Sequence, residues 1–397
     1  MNLELLDAIE EVCCYSSASC PIALHEPDFG ETNALAYVKD CIDHGWVSSA
    51  GQWVTRFEEE LCNQTGASHA IAVCNGTVAL RLALHLLDVK ANDEVIMPSL
   101  TFVATANAAS HLGAIPHFVD IDQDTLGLSP LALERQLQNI AIRKDNQTIN
   151  RITGRRITCV VPVHVFGNPA LIEDICAVAN EWNLPVVEDA AEALGSWYKN
   201  IHCGMYGKMG VLSFNGNKLI TTGGGGAVIT NDSDIARQAK HISTTAKVPH
   251  SWEFFHDQIG WNDRMPNINA ALGVAQLENL KELIKVKYNL ANKYRKSFSN
   301  IKNIQFIEST RHGKSNNWLI SVRFTDTNRE EACRQKVNLL EVSHQKGILL
   351  RPAWQPLHKL PMYKNVPKGE LFVTEDQSDR LICLPSSPQI LRKDSYE

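Results

Sequence analysis

Apolar residues along this chain fall into short runs separated by stretches of helical spacing. AIAVC at 70–74 reads as a buried strand, Gly76 follows, and TVALRLALHLL then carries apolar residues at helical intervals. EVIMP at 94–98 is the next strand-like run, with a helix of small residues expected from about Thr101. PHFVDI (116–121), TCVVPVH (158–164), PVVEDA (185–190), GVLSFN (210–215) and GAVIT (226–230) continue the series. Repeated strand, helix, strand predicts an α/β fold with a mainly parallel central sheet and helices on both faces. In such sheets ligands collect at the carboxyl ends of the strands.

Two stretches break the rhythm. Residues 140–157 are polar and basic with little periodicity, and read as a surface loop or an ornament between sheet elements. From about residue 266, INAALGVAQLENLKELIKVKYNLANKYRKSFSN reads as one long helical pattern. NNWLISVRF follows as a strand, and then a helix rich in Glu, Lys and Gln. The chain has 397 residues, more than the ~250–300 that one core holds. Two domains are predicted: a large one over 1–265 that includes the N-terminal segment, and a smaller C-terminal α+β domain over 266–397.

Composition narrows the class. Hydrophobic residues make up 44% and charged residues 21%, ordinary for a soluble globular enzyme. The net charge of −6 leaves no electrostatic footprint for nucleic acid. No segment reaches the ~18 apolar residues of a membrane helix. MNLELLDAIEEVCCYSS at the start has neither the basic head nor the apolar stretch of a signal peptide. The 11 cysteines include no Cys-x-x-Cys pair, so no metal site is expected. Several sit in apolar runs as reduced core residues, which points to a cytoplasmic location.

Candidate chemistry lies at the strand ends. Asn75-Gly76-Thr77 stands between a strand and a helix, where unpaired amides and the helix dipole suit an anion. An ordinary helix cap would look the same. There is no G-x-G-x-x-G, so a dinucleotide site is not indicated. Asp189 ends the run PVVED, either facing the crevice or capping the next helix, and Glu188 should point to the opposite side. Lys218 lies in a polar turn before Gly223–Gly226, a run that would let backbone crowd a ligand. For a single lysine, a solvated turn residue is the commoner reading, so Lys218 matters only as part of the set. Phe102 could stack on a flat ring or fill the core, and His164 could meet a ligand or be a structural histidine.

The order of these segments is more specific than any one of them. GWVSSAGQWVTRFEEEL (45–61), NGTVALRLAL (75–84), MPSLTFVATANA (97–108), PVHVFGNPA (162–170), VEDAAEALGS (187–196), SFNGNKLITTGGGGA (213–227) and GWNDRMPNINAALGVAQLE (260–278) together resemble the DegT/DnrJ/EryC1/StrS family of sugar aminotransferases. These are pyridoxal 5′-phosphate (PLP) enzymes of fold type I. The resemblance implies that Lys218 holds PLP as a Schiff base and moves the substrate proton, with pyridoxamine 5′-phosphate as the intermediate form. It further implies that Asp189 pairs with the ring nitrogen, that Gly76, Thr77 and Ser213 hold the phosphate, and that Phe102 stacks on the ring. Asn262 would reach the phosphate of a neighbouring subunit, giving a homodimer with composite sites.

Two positions depart from the usual family pattern. Glu192 stands where Gln or His is common beside the cofactor's phenolic oxygen, and Gly224 stands where many members carry Glu. Both departures, and RPAWQPLHKLPMY at 351–363, resemble the subgroup of the bacillosamine and legionaminic acid pathways. That implies glutamate as amino donor and a nucleotide-linked 4-keto-6-deoxy sugar as acceptor. Arg351 and His358 would approach the sugar nucleotide, with Trp46, Ser48 and His164 as further candidates. Rival readings are a PLP-dependent sugar dehydratase, which carries histidine in place of the lysine, and a non-catalytic PLP-binding regulator.

Overall fold

The computed structural model describes residues 3–14, 21–30 and 32–392. Helix α1 (Leu3–Val12) precedes α2 (Ala34–Asp43) and α3 (Gln52–Thr65). Strand β1 (His69–Val73) then feeds α4 (Gly76–Leu86), and the alternation continues through β2 (Glu94–Pro98), α5 (Ala104–His111), β3 (Ile115–Val119) and α6 (Pro130–Ile140). Strands β4 (Ala141–Lys144) and β5 (Gln147–Asn150) lead to β6 (Arg156–Val160), α7 (Ile172–Glu181) and β7 (Val187–Asp189). After the short β8 (Trp197–Tyr198) and β9 (Ile201–His202) come β10 (Met209–Ser213), β11 (Gly226–Thr230), α8 (Ser233–Ser243) and α9 (Asn267–Glu278).

These strands make two ladders, ordered β1-β11-β10-β7 and β3-β2-β6-β5-β4. Parallel bridges Val160–Val186 and Val163–Asp189 lie where β6 meets β7, so the ladders abut as one surface. β2 pairs in parallel with β3 and β6, and β10 with β7, while β11 runs antiparallel to both its neighbours. Period-two alternation sorts the side chains. Ile71, Val73, Val211 and Val228 join one core with α4, α5 and α8. Ala72, Leu212, Ala227 and Ile229 face the other, with Phe57 and Leu61 of α3 and Val274 of α9. Phe57 meets Phe214 edge-on at 5.1 Å, a geometry that favours aromatic pairs.

The C-terminal part begins with α10 (Leu280–Ser297) and holds β12 (Ile304–Phe306), β13 (Gly313–Lys314), β14 (Ser321–Phe324), α11 (Arg329–Gln345), β15 (Arg351–Pro352), α12 (Phe372–Arg380), β16 (Leu381–Cys383) and α13 (Gln389–Arg392). Its sheet, ordered β12-β14-β16-β15, is antiparallel throughout. Helix α1 packs here: Leu5, Leu6 and Ile9 share a core with Leu290, Tyr294 and Val322. No helix among the described residues is long and apolar enough to cross a membrane.

The structure corrects several element expectations. The predicted long helix after 266 is two helices, parted at Asn279, which caps α9 with φ −100° and ψ 2°. No glycine or proline marks the break, and α9, buried on nearly every side, has no polar face whose displacement would reveal it. Residues 140–157 are the ornament between sheet elements rather than the loop. Asp145 and Asn146, both with positive φ, turn β4 back on β5, and the hairpin extends the sheet. In NNWLISVRF only Ser321–Phe324 is strand, and α5 begins at Ala104 rather than at Thr101.

One glycine in the large sheet is dictated by packing. A Cβ on Gly210, inside β10, would stand 2.2 Å from the carbonyl oxygen of Gly204. Backbone cannot yield as a side chain can, so Gly210→Ala is expected to cost ~1–3 kcal/mol and lower Tm. Gly216→Ala, where a Cβ meets nothing within 4 Å, should leave Tm unchanged in the same scan. Equal Tm values for the two variants would contradict this packing.

Candidate active site

A cavity of about 350 Å³ opens where the strands of the large sheet end, within the ~300–1,000 Å³ typical of small-molecule sites. Gly76 and Thr77 follow β1, Thr101, Phe102, Ala104 and Thr105 follow β2, Asp189 ends β7 and Ser213 ends β10, and all of them line it. Trp318, Arg351 and Trp354 close it from the C-terminal part.

One end of the cavity suits an anion. The Asn75 side chain caps α4 by accepting from the amide of Val78 at 2.9 Å. The amides of Gly76 and Thr77 are then those a helix leaves without intrahelical acceptors. Ser213 stands against them: a Cβ on Gly76 would lie 2.8 Å from the Ser213 Cβ. A Cβ on Gly226 would fall 2.6 Å from the Gly76 nitrogen. The last glycine of the run thus lets β11 crowd the start of α4. Asn269 holds the same run by donating to the carbonyls of Thr222 and Gly224.

The opposite chemistry lies on the wall. Asp189 is buried, accepting from the Thr105 hydroxyl at 2.7 Å and from the Ala191 amide at 3.2 Å. Burial raises its pKa, only partly offset by those bonds. Glu188 points the other way, where His164 and the amides of Gly204, Tyr206 and Gly207 surround it. Lys218 sits in a turn closed by the amide of Phe214 donating to Gly225 and that of Thr222 donating to Phe214. Its Nζ lies 3.2 Å from Oε1 of Glu192 and 4.2 Å from the centre of the Trp318 ring. Glu192 is itself buried, which raises its pKa, while Lys218 beside it pulls the other way. The Phe166 amide donates to its second oxygen at 2.9 Å. Phe166 adopts φ 58° to do so, a region that non-glycine residues seldom occupy.

Of the residues expected from sequence, Gly76, Thr77, Phe102, Asp189, Glu192, Ser213, Lys218 and Arg351 line this cavity, with Phe102 half exposed. Five others do not. His164 is fully buried, with its Nδ1 accepting from the Ala170 amide and its Nε2 on Glu188. His358 is held by Ser99 and Glu375, pinning the 351–363 segment beside β2. Trp46 and Ser48 lie on an exposed segment anchored by Asn267. Asn262 is exposed and accepts from Arg264. Trp318, Thr105 and Trp354 were missed. Thr105 was legible as the next helical-turn neighbour of Thr101, but both tryptophans arrive from distant sequence. His25 was also missed: it is buried beside Trp318, and neither ring nitrogen has a hydrogen-bond partner among the described residues. Burial holds its pKa well below the usual value.

This set fits a flat, phosphorylated aldehyde with a basic ring nitrogen: an anion end, a buried carboxylate and an amine around one cavity. A sequence profile of the DegT/DnrJ/EryC1/StrS aminotransferase family matches residues 29–396. EpsN of Bacillus subtilis strain 168, provisionally named a pyridoxal phosphate-dependent aminotransferase, is 35% identical over 356 residues, covering 88% of this chain and 87% of that protein. GDP-perosamine synthase of Escherichia coli O157:H7 is 35% identical over 354 residues, 89% of this chain and 90% of that protein. Among solved structures, PseC of Helicobacter pylori, an aminotransferase involved in pseudoaminic acid biosynthesis, superposes with a TM-score of 0.81 at 26% identity. It covers 92% of this chain and 93% of PseC. The chain belongs to the DegT/DnrJ/EryC1/StrS aminotransferase family, has its fold type I architecture and is a PLP-dependent enzyme.

The Asp189 carboxyl carries a pH consequence. Its pKa in the folded, cofactor-free protein is raised above the ordinary 3.8, so the folded state holds this proton more tightly than the unfolded chain. Its contribution to stability is full below about pH 4 and is lost as pH rises through the raised value. Asp189→Asn is expected to remove that part of the decline in a series of calorimetric Tm measurements. A Tm–pH curve unchanged by the substitution would contradict the assignment.

Proposed function

We propose that this enzyme transfers the amino group of glutamate to C4 of a nucleotide-linked 4-keto-6-deoxy sugar, with UDP-2-acetamido-2,6-dideoxy-4-hexulose as acceptor. The observation that carries the reading is the Lys218 amine in a strand-end cavity that also holds the α4 N-terminus and the buried Asp189. PLP, when bound, supplies an electron sink for the pair left on carbon when a proton departs. The rest is work for the chain's own residues.

Gly76, Thr77 and Ser213 would bind the phosphate through amides and a hydroxyl, using the helix dipole. Asp189, oriented by Thr105, would keep the ring nitrogen positively charged. Phe102 would cover the ring. Lys218 would hold the cofactor through Nζ and, once displaced, use that atom as base and acid. In one half-reaction Nζ takes the α-proton of glutamate, and in the other a proton is delivered to C4 of the sugar. Glu192, with Oε1 3.2 Å from Nζ, stands where it can accept a proton from it. Arg351, exposed at the mouth, suits an anionic nucleotide.

A nucleotide-linked sugar as acceptor draws support from the relatives named GDP-perosamine synthase, while the UDP-linked acetamido sugar rests on the resemblance carried by Glu192, Gly224 and the 351–363 segment. The homodimer is part of the same proposal. Asn262 lies outside its own chain's cavity, where a residue serving a neighbour would stand. Trp252, Phe254, Phe255 and Ile259 nearby are largely exposed, an apolar surface that a second copy would cover.

The test is amino transfer from glutamate to a panel of UDP-, GDP- and dTDP-4-keto-6-deoxy sugars, with product stereochemistry assigned. The expected result is preferential amination of the UDP-acetamido sugar, reduced more than about 10³-fold in Lys218→Ala. Preference for a GDP-linked sugar would overturn the acceptor. Undiminished turnover by Lys218→Ala would overturn the role of the lysine.

A further inference from the structure

Lys287 lies in the middle of α10 and is fully buried. Its Nζ donates to the carbonyl of Trp318 at 2.9 Å and to that of Ser386. Neither acceptor is charged, and burial alone drives its pKa well below the ordinary lysine value. A buried amine with no acid beside it weakens a fold, and an apolar side chain of similar volume would avoid that cost. Residues that oppose stability in this way are expected where function requires them.

What Lys287 touches leads to the reacting amine. Trp318 precedes β14 and Ser386 follows β16, so one side chain of α10 joins the two segments. Ser386 accepts from the Ile320 amide through its hydroxyl, and its own amide donates to Leu24. The Trp318 indole Nε1 donates to the Asn217 carbonyl at 2.7 Å. Its ring lies 4.2 Å from Nζ of Lys218, the next residue. The path from Lys287 to Lys218 thus crosses one backbone carbonyl and one aromatic ring.

We propose that Lys287 is a positioning residue for the reacting amine: by fixing the Trp318 carbonyl against that of Ser386, it sets where the indole meets Nζ of Lys218. The proposal rests on Lys218 being the lysine that holds the cofactor. A displacement of ~1 Å at a reacting group can lower a rate on the order of 10²-fold, so loosening this contact should slow the chemistry of Lys218 while leaving the fold in place.

The experiment is a double-mutant cycle on Lys287→Met and Trp318→Ala. Cofactor-free full-length protein is mixed with PLP, quenched with borohydride at intervals, and the pyridoxyl group on the Lys218 peptide is counted by mass spectrometry. Each single variant should trap PLP at least about tenfold more slowly, with unchanged far-UV circular dichroism. The double variant should be no slower than Trp318→Ala, because without the indole Lys287 has nothing to place. If Lys287→Met does not fold, Lys287→Gln, too short to join the Trp318 and Ser386 carbonyls as Nζ does, takes its place in the cycle with the same expectation. Wild-type trapping by the Lys287 variant, or losses that multiply in the double variant, would overturn the proposal. No label on Lys218 in the wild-type protein would instead remove the reading of the site, and this proposal with it.

Discussion

The first turn of α4 approaches β10 and β11 so closely that neither Gly76, against Ser213, nor Gly226, against the Asn75–Gly76 backbone, could carry a side chain. That contact places unpaired helix amides at the end of β10, beside the Ser213 hydroxyl. It also sets the level at which the chain leaves β10 for the turn holding Lys218. The amine and the anion end belong to one cavity because two glycines let a helix start touch two neighbouring strands.

Around that constraint the site is built from groups whose environments work against one another. Asp189 and Glu192 are both buried, both have raised pKa values, and Lys218 stands beside Glu192. Glu192 has Lys218 as its partner, whereas Asp189 has only a hydroxyl and an amide, so its charged form gains most when a protonated ring enters. Phe166 holds a strained backbone to aim one amide at Glu192, and backbone strain of this kind is commonly found at functional sites. The cost is met by the alternating cores on the two faces of the sheet, where Phe57, Leu61, Leu80 and Val211 are shut from water.

Much of this was legible in the chain itself. Apolar runs of four or five residues marked the strands, and their carboxyl ends marked where the cavity would lie, as Gly76, Asp189 and Ser213 show. The errors have physical causes. His164 and His358 lie near the right elements, but each has both ring nitrogens engaged away from the cavity. Strand periodicity says which face a residue takes, not what waits there. Trp318 escaped notice because its meaning depends on a contact made across a hundred residues, with the Asn217 carbonyl. The break at Asn279 escaped for a local reason, since the position carries neither glycine nor proline, and the ornament at 140–157 showed too little periodicity for its two strands to be read.

The claim that these groups act together as one cofactor site is tested most directly by a crystal structure of the protein grown with PLP. The account predicts the phosphate on the amides of Gly76 and Thr77 with the Ser213 hydroxyl. It places the ring nitrogen on Asp189 and continuous density to Nζ of Lys218. PLP bound with its phosphate on Arg351, or joined to a lysine other than Lys218, would contradict it.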